Sequence, residues 1–314
     1  METAPLSAWI GFNIFVLLML ALDLGIFNRK AHEIRFKEAM GWTAVWISLA
    51  LIFNIGLGHW YGHQKALEFL TGYLIEKSLS VDNIFIFLVI FSYFRVPPKY
   101  QHKVLFWGIL GALLMRGAFI YAGVQMILRF HWIIYVFGGF LIFTGIKMFF
   151  HKEQELDPEK NLAVRLVRKI LPVTMSGATD GKFLIRENGK WMATPLLLVL
   201  VLVETTDLIF AMDSIPAILA ISQDSFIVYT SNVFAILGLR SLYFALAGLL
   251  QLFHYLHYGL SAVLIFVGAK MILADWVKIP TGIALSVVLG ILLISVAASF
   301  AFPPKKDAPD SHET

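Results

Sequence analysis

Two stretches of the chain carry carboxylates inside segments that are otherwise apolar enough to cross a bilayer. Glu76 and Asp82 lie in the first stretch, Asp207 and Asp213 lie in the second, and the members of each pair are six residues apart. An acid at the centre of a membrane helix costs about 2.5–3.5 kcal/mol on insertion, so such acids usually mark an ion path, a proton relay or a partner charge. The repeated spacing therefore indicates a functional site built from two related segments.

The side chains in these stretches suit a hard divalent cation. Glu204 adds a carboxylate to the second stretch, and Asn83 and Ser214 each directly follow an acid. Carboxylate, carbonyl, amide and hydroxyl oxygens are the ligands that Mg²⁺, Ca²⁺ and Mn²⁺ prefer. The predicted metal-binding residues are Glu76, Asp82, Asn83, Glu204, Asp207, Asp213 and Ser214.

Five acids carry more negative charge than one divalent ion balances. Some of them must be protonated or paired with a basic residue, and a metal could then displace protons. The candidate accessory cations are Lys77, Arg116, Arg240, Lys147 and Lys270. We interpret the two arginines as structural counter-charges rather than as ligands. Asp23, at the end of the first apolar run, is either a vestibule ligand or an interfacial acid.

The spacing of the acids bears on helix geometry. Six residues advance about 600° along a helix, so Glu76 and Asp82 would point about 120° apart. One straight helix cannot gather all the carboxylates, so either the helices unwind locally or the acids serve different positions along a path. Pro216 and the nearby hydroxyl residues favour local breaks, which are tolerated where backbone is buried in protein or lines a cavity. The hydroxyl residues are Ser78, Ser80, Thr205 and Thr206.

Composition places the chain in a membrane. Of its 314 residues, 59% are hydrophobic and 15% are charged, whereas soluble domains carry about 25% charged residues. The chain has no cysteine, which excludes disulfides, thiolate metal ligands and a cysteine nucleophile. No nucleophile–base set or nucleotide-binding loop indicates an enzyme, and we expect no nucleic-acid partner and no permanently bound cofactor.

Nine apolar runs are about as long as a membrane helix requires. They cover residues 7–27, 41–58, 68–94, 103–123, 131–150, 194–220, 226–250, 257–276 and 281–302. We expect the first run to be a mature helix rather than a signal peptide. Between the fifth and sixth runs, the polar segment 151–193 is predicted to be a cytosolic loop. It should contain an amphipathic helix near 161–170 and a hairpin with its turn at 188–189.

Basic residues fix the predicted orientation. With the N-terminus outside, 17 of the 25 Lys and Arg residues lie in cytosolic segments, five lie within spans, and only Lys65, Arg129 and Lys278 lie outside the cell. This bias agrees with the positive-inside rule, so we predict an external N-terminus and a cytosolic C-terminus.

An internal repeat accompanies the acids. The stretch 141–148 (LIFTGIKM) matches 264–271 (LIFVGAKM), and an arginine precedes the lysine by 31 residues in one unit and 30 in the other. Each unit, 68–150 and 194–276, thus contains an acidic, an arginine and a lysine helix. Three spans are an odd number, so the second unit must be inverted, as in many secondary transporters. The predicted fold is one all-α polytopic membrane domain, 1–314, with an inverted three-plus-three core.

The same motifs resemble those of the TerC family of bacterial membrane proteins, particularly its Alx-type branch. The matching stretches are 73–83 (YLIEKSLSVDN), 204–217 (ETTDLIFAMDSIPA) and 231–240 (SNVFAILGLR). The resemblance extends through all nine apolar runs. It implies a multi-pass inner-membrane protein of manganese homeostasis with Mn²⁺ export as the leading activity. The family's acids fall on Glu76, Asp82, Glu204, Asp207 and Asp213.

We therefore expect export of Mn²⁺ as a transported substrate, coupled to protons or to the membrane potential. The expected partners are the metal ion and the lipid bilayer, and protein partners stay open. The alternative is a membrane platform without transport activity that supplies metal to secreted enzymes or binds a partner protein.

Single cysteines at Ser176 and Ser222 test the orientation, since the chain has no cysteine of its own. In intact cells, an impermeant thiol reagent is expected to label position 222, in the external turn, and to leave position 176, in the cytosolic loop, unlabelled. Labelling of 176 without 222 would contradict both the orientation and the inverted repeat.

Overall fold

The computed structural model describes residues 4–22, 36–150, 161–174, 181–187, 189–247 and 255–302. Asp23 lies outside the described residues. The helices are α1 (Leu6–Leu22), α2 (Phe36–Trp60), α3 (His63–Tyr93), α4 (Pro98–Arg129), α5 (Ile133–Phe150), α6 (Leu162–Ile170), α7 (Pro195–Leu219), α8 (Ser225–Leu237), α9 (Leu239–Leu246), α10 (Leu256–Ile272) and α11 (Thr281–Ala301). Strands β1 (Leu184–Glu187) and β2 (Lys190–Ala193) form an antiparallel hairpin between α6 and α7.

Seven helical segments of the described part of the chain are long and apolar enough to cross a membrane. They are α2, α4, α5, α7, α8 with α9, α10 with the short turn that follows it, and α11. Helix α1 is apolar but has only 17 residues. Helix α3 has 31 residues and carries the first acidic pair. The chain is therefore a helical, multi-pass integral membrane protein, and the count of nine spans stays a prediction.

Helices α5 and α10 pack antiparallel through glycines. A Cβ on Gly145 would lie 2.9 Å from the carbonyl oxygen of Ser261, and a Cβ on Gly268 would lie 2.7 Å from that of Gly138. In the alignment of 141–148 with 264–271, Gly145 corresponds to Gly268 and Gly138 to Ser261. The contact of Gly145 with Ser261 thus corresponds to the contact of Gly268 with Gly138.

Helices α3 and α7 also run antiparallel. Near the start of α3, a Cβ on Gly72 would lie 3.2 Å from Ile218, near the end of α7. Further along α3, Asn83 reaches Asp207, which precedes Ile218 in α7 by eleven residues. The acidic helices of the two units therefore cross the bundle in opposite directions.

The polar segment before α7 has the predicted elements. The Asn161 side chain caps α6 by accepting hydrogen bonds from the backbone N–H groups of Ala163 and Val164, at 3.0 and 3.2 Å. In the hairpin, Gly189 adopts φ 78°, a conformation that costs glycine little. Asn188 lies outside the described residues. The amphipathic helix and the hairpin are thus both confirmed.

The turn between α7 and α8 contains a buried serine, which makes this position a poor site for a thiol label. The Ser222 side chain is buried and donates a hydrogen bond of 2.6 Å to Glu68. A cysteine there would react slowly whatever its side of the membrane, so the neighbouring half-buried Gln223 is the better position for the external label.

The α5–α10 contact yields a stability prediction. Gly145→Ala places a Cβ against a backbone carbonyl that cannot move alone, so we expect it to cost about 1–3 kcal/mol of folding free energy. Gly139→Ala is the matched control on the same helix, because no other described part of the chain, apart from the adjacent backbone of α5, lies within 4 Å of its added Cβ. Thermal unfolding of the purified proteins in detergent checks this, and equal unfolding temperatures for the two variants would refute the tight contact.

Candidate functional site

A buried arginine joins the first acid of each pair. The Arg116 side chain, midway along α4, is buried and forms ion pairs with Glu76 on α3 and Asp207 on α7. Its Nη2 donates to Asp207 Oδ1 at 2.8 Å and its Nε donates to Oδ2 at 3.1 Å, while Nη1 donates to Glu76. Two-point contact with one carboxylate is the strongest arrangement that an arginine offers.

Polar side chains complete this buried centre. Asn232 on α8 donates to Glu76 at 3.2 Å and accepts from Arg116 at 3.3 Å. Ser214 on α7 accepts a hydrogen bond from the Arg116 guanidinium at 3.3 Å. Asn83 on α3 donates a hydrogen bond to the Asp207 carboxylate at 3.5 Å. The network therefore fixes α3, α4, α7 and α8 against one another, and we call it the Arg116 network.

The second acid of each pair lies elsewhere. Asp82 on α3 and Asp213 on α7 both line a cavity of about 320 Å³ whose other walls come from α5 and α10. The 120° rotation that six residues produce on a helix accounts for this separation. Glu76 and Asp207 thus face α4 and α8, whereas Asp82 and Asp213 face α5 and α10. We call this space the aspartate cavity.

Helix α5 supplies polar neighbours to the aspartate cavity. Thr144 and Lys147 both line it beside Asp213. His257, at the start of α10, also lines the cavity, and its Nε2 contacts the carbonyl oxygen of Met148 at the end of α5. Asp213 therefore faces a hydroxyl and an ammonium group, both of which a cation would meet.

The acidic helices are continuous, so the expected local breaks are wrong for α3 and α7. The hydroxyls of Ser78, Ser80 and Thr206 donate to backbone carbonyls four residues earlier, at 2.7–2.8 Å, and so are satisfied without unwinding the helix. Pro216 sits inside α7 and has no N–H to give to the carbonyl of Met212. Because Met212 also lines the aspartate cavity, its carbonyl is a potential oxygen ligand.

The break in regular helix occurs instead in the arginine helix of the second unit. Gly238 separates α8 from α9, and Lys77 donates to the carbonyl of Ala235 at 3.3 Å. Lys270 donates likewise to the carbonyl of Ala220 after the end of α7, at 2.8 Å. Cations at helix C-termini are favourable because the carbonyl ends carry partial negative charge.

The remaining predicted residues lie beside the Arg116 network. Arg240 on α9 is buried and lines a small space together with Asp207. Glu204 packs against Gly111 of α4, where a Cβ would come within 2.0 Å of its carboxylate. Among the described residues, Glu204 Oε2 is buried without a hydrogen-bond partner. This carboxylate is therefore close to the network but outside its hydrogen bonds.

No three His, Asp or Glu side chains of the described ranges come close enough to hold a metal ion together. The predicted acids occupy three places: the Arg116 network, the aspartate cavity and the Gly111 contact. The sequence left open whether the helices unwind to gather the acids or the acids serve different positions along a path. This arrangement agrees with the second alternative.

Sequence reasoning missed Asn232, Thr144 and His257 as members of these sites. Asn232 is an amide inside the apolar run 226–250, which is a signal that could have selected it. Thr144 is the polar residue of the repeated LIFTGIKM stretch, where the other unit has Val267. His257 carries no comparable signal, because its position depends on how α10 packs on α5.

Comparisons with known proteins agree with this architecture. Residues 61–307 match the model of the integral membrane protein TerC family. A Myxococcus xanthus protein called "Uncharacterized membrane protein STKORF319" is 57% identical over 304 residues, covering 95% of each chain. "Putative membrane-bound redox modulator Alx" of Escherichia coli K12 is 48% identical over 297 residues, 91% of this chain and 92% of the relative. No solved structure matches the chain.

The Arg116 network gives a prediction about stability. Arg116→Gln leaves two buried carboxylates without their cation, and removing one partner of a buried ion pair costs about 3–5 kcal/mol. We expect a large fall in the thermal unfolding temperature and in the folded yield. Adding Glu76→Gln and Asp207→Asn to this variant should recover most of the stability, because the Arg116 network then contains no charged side chain.

Lys147→Gln is the matched control, since it also removes one basic side chain but from the rim of an open cavity. It should unfold near the wild-type temperature. An Arg116→Gln protein as stable as Lys147→Gln, or a triple variant no more stable than Arg116→Gln alone, would contradict this account.

Proposed function

Because the chain belongs to the TerC family of integral membrane proteins, we propose that it exports Mn²⁺ across the bacterial inner membrane. The observation that carries the proposal is the aspartate cavity, in which Asp82 and Asp213 from two related helices line one space. A charged side chain facing such a space within a membrane bundle usually marks the route of an ion.

The chemistry of the cavity favours a hard cation. Two carboxylates and the Thr144 hydroxyl are oxygen donors among the lining residues, and cysteine is missing from the chain. Oxygen ligands suit Mn²⁺, Mg²⁺ and Ca²⁺ and do not suit soft metals. Two aspartates also match the charge of one divalent ion, and bound water would complete its coordination.

Lys147 gives the aspartate cavity a counter-charge. Its ammonium group lines the cavity together with Asp213, so an arriving cation would meet a positive charge as well as the carboxylate. The lysine can swing away because its side chain is exposed at the rim. An internal cation of this kind would keep the metal from binding too tightly to leave.

Helix direction supports an inverted repeat. The acidic helices α3 and α7 are antiparallel, and so are the lysine helices α5 and α10, as two inverted three-helix units require. We propose on this basis the nine-span arrangement with the N-terminus outside and the C-terminus cytosolic. The aspartate cavity, beside Met148 and His257, then lies toward the cytosol, from which an exported ion enters.

The rival function is a membrane platform that binds or hands over metal without transporting it. The name of the Escherichia coli relative refers to redox modulation, but these 314 residues contain no cysteine, so thiol–disulfide exchange could not use this chain's own side chains. The paired aspartates in a cavity between antiparallel helices favour transport over either role.

A flux assay with purified protein in liposomes tests the proposal. The wild type should move Mn²⁺ without any partner, and Asp82→Asn or Asp213→Asn should lower the initial rate roughly tenfold or more, because cation affinity depends on the number of charged ligands. Asp275→Asn is the matched control, since this exposed carboxylate pairs with His131 and lies outside the aspartate cavity.

Both cavity variants should retain the wild-type elution profile, which separates loss of transport from loss of fold. No Mn²⁺ movement by the wild type would favour the platform, and full activity of either cavity variant would refute the shared cavity as the transport site.

A further inference from the structure

Helix α6 exposes a stripe of large apolar side chains. Leu162, Leu166 and Ile170 are 80%, 57% and 68% exposed. They are spaced by four residues, so they form one continuous row along the helix. In a helix that faces water, such a row would be costly, and another apolar phase should cover it.

The rest of α6 is anchored to the bundle. Val164 is fully buried and belongs to the apolar cluster that contains Leu196 and Val199 of α7, Phe91 near the end of α3, and Val104 near the start of α4. Helix α6 therefore lies at the end of the bundle where α3 ends and α4 and α7 begin. This end is one face of the membrane, because α4 and α7 are spans.

A basic row lies beside the apolar stripe. Arg165 and Lys169, four residues apart, form this row and are exposed. Arg168 is also exposed but lies about 160° from Leu166, on nearly the opposite side of the helix. At 100° per residue, Lys169 lies about 60° from Leu166 in one direction around the helix. Val164 lies about 160° from Leu166 in the opposite direction. Going around the helix from the anchored Val164, one therefore meets first the apolar stripe and then the basic row. This order lets the stripe and the basic row contact the same surface while Val164 stays in the core.

We propose that α6 lies in the membrane interface and binds anionic phospholipids. The apolar stripe would enter the acyl boundary, and the basic side chains would contact lipid phosphates. An amphipathic helix with a basic face adopts this position, and basic side chains near a membrane are attracted to anionic headgroups. The exposed Trp191 of the neighbouring hairpin is of the type enriched at membrane interfaces.

A second copy of the chain fits this surface less well. Two α6 helices that met through their stripes would bring the basic rows of both copies together, and like charges repel. An anionic lipid surface offers apolar contact and opposite charge at once, so charge complementarity selects the bilayer.

Fluorescence quenching in the full chain tests the proposal. Single cysteines at Leu166→Cys and Arg168→Cys, which lie on nearly opposite sides of α6, are labelled with a small fluorophore. The proteins are placed in vesicles of mixed phosphatidylcholine and phosphatidylglycerol. Spin-labelled lipid should quench position 166 at least twofold more than position 168, and aqueous iodide should give the reverse order.

Three outcomes would overturn lipid contact. Equal lipid quenching at the two positions would place the stripe away from the bilayer. Strong iodide quenching at 166 would leave it in water. Protection of 166 from both quenchers would mean that protein covers it, either a second copy or another part of the chain.

The charge component has its own test. In the Leu166→Cys protein, adding Arg165→Gln and Lys169→Gln should reduce lipid quenching in mixed vesicles and have little effect in pure phosphatidylcholine. An unchanged signal in both would refute anionic headgroup binding. An unaltered elution profile shows that these surface changes leave the fold intact.

Discussion

The pairing of one buried guanidinium with two buried carboxylates constrains the rest of this membrane bundle. A charge in the low-dielectric interior of a bundle is tolerated only when it is paired and hydrogen-bonded. Arg116 meets this condition for Glu76 and Asp207, and Asn232 satisfies a further oxygen. Since these residues lie on four different helices, the requirement for pairing determines how those helices pack.

This pairing also decides where the other two aspartates point. Once Glu76 and Asp207 face α4 and α8, the six-residue spacing turns Asp82 and Asp213 toward α5 and α10. There they line a cavity and are not held in the Arg116 network. A structural ion pair and a cavity lined by two carboxylates thus lie on different sides of the same two helices.

The two related units do not use equivalent residues in the same way. Lys147 lines the aspartate cavity together with Asp213, whereas Lys270 donates to a helix-end carbonyl beyond α7. Arg116 lies in a continuous helix, whereas Arg240 follows the break at Gly238. The two lysines therefore differ in role, since Lys147 lines the aspartate cavity and Lys270 does not.

The membrane class, the amphipathic helix, the hairpin and the 120° separation of the acids are all predictable from the chain, because composition and periodicity act locally. Which acids Arg116 binds, and that Asn232 joins them, depends on helix packing, since these contacts link residues 40 to 156 positions apart. The expected breaks in α3 and α7 failed for a related reason. A serine or threonine can bond its own helix as readily as interrupt it, and the packing around it selects between the two.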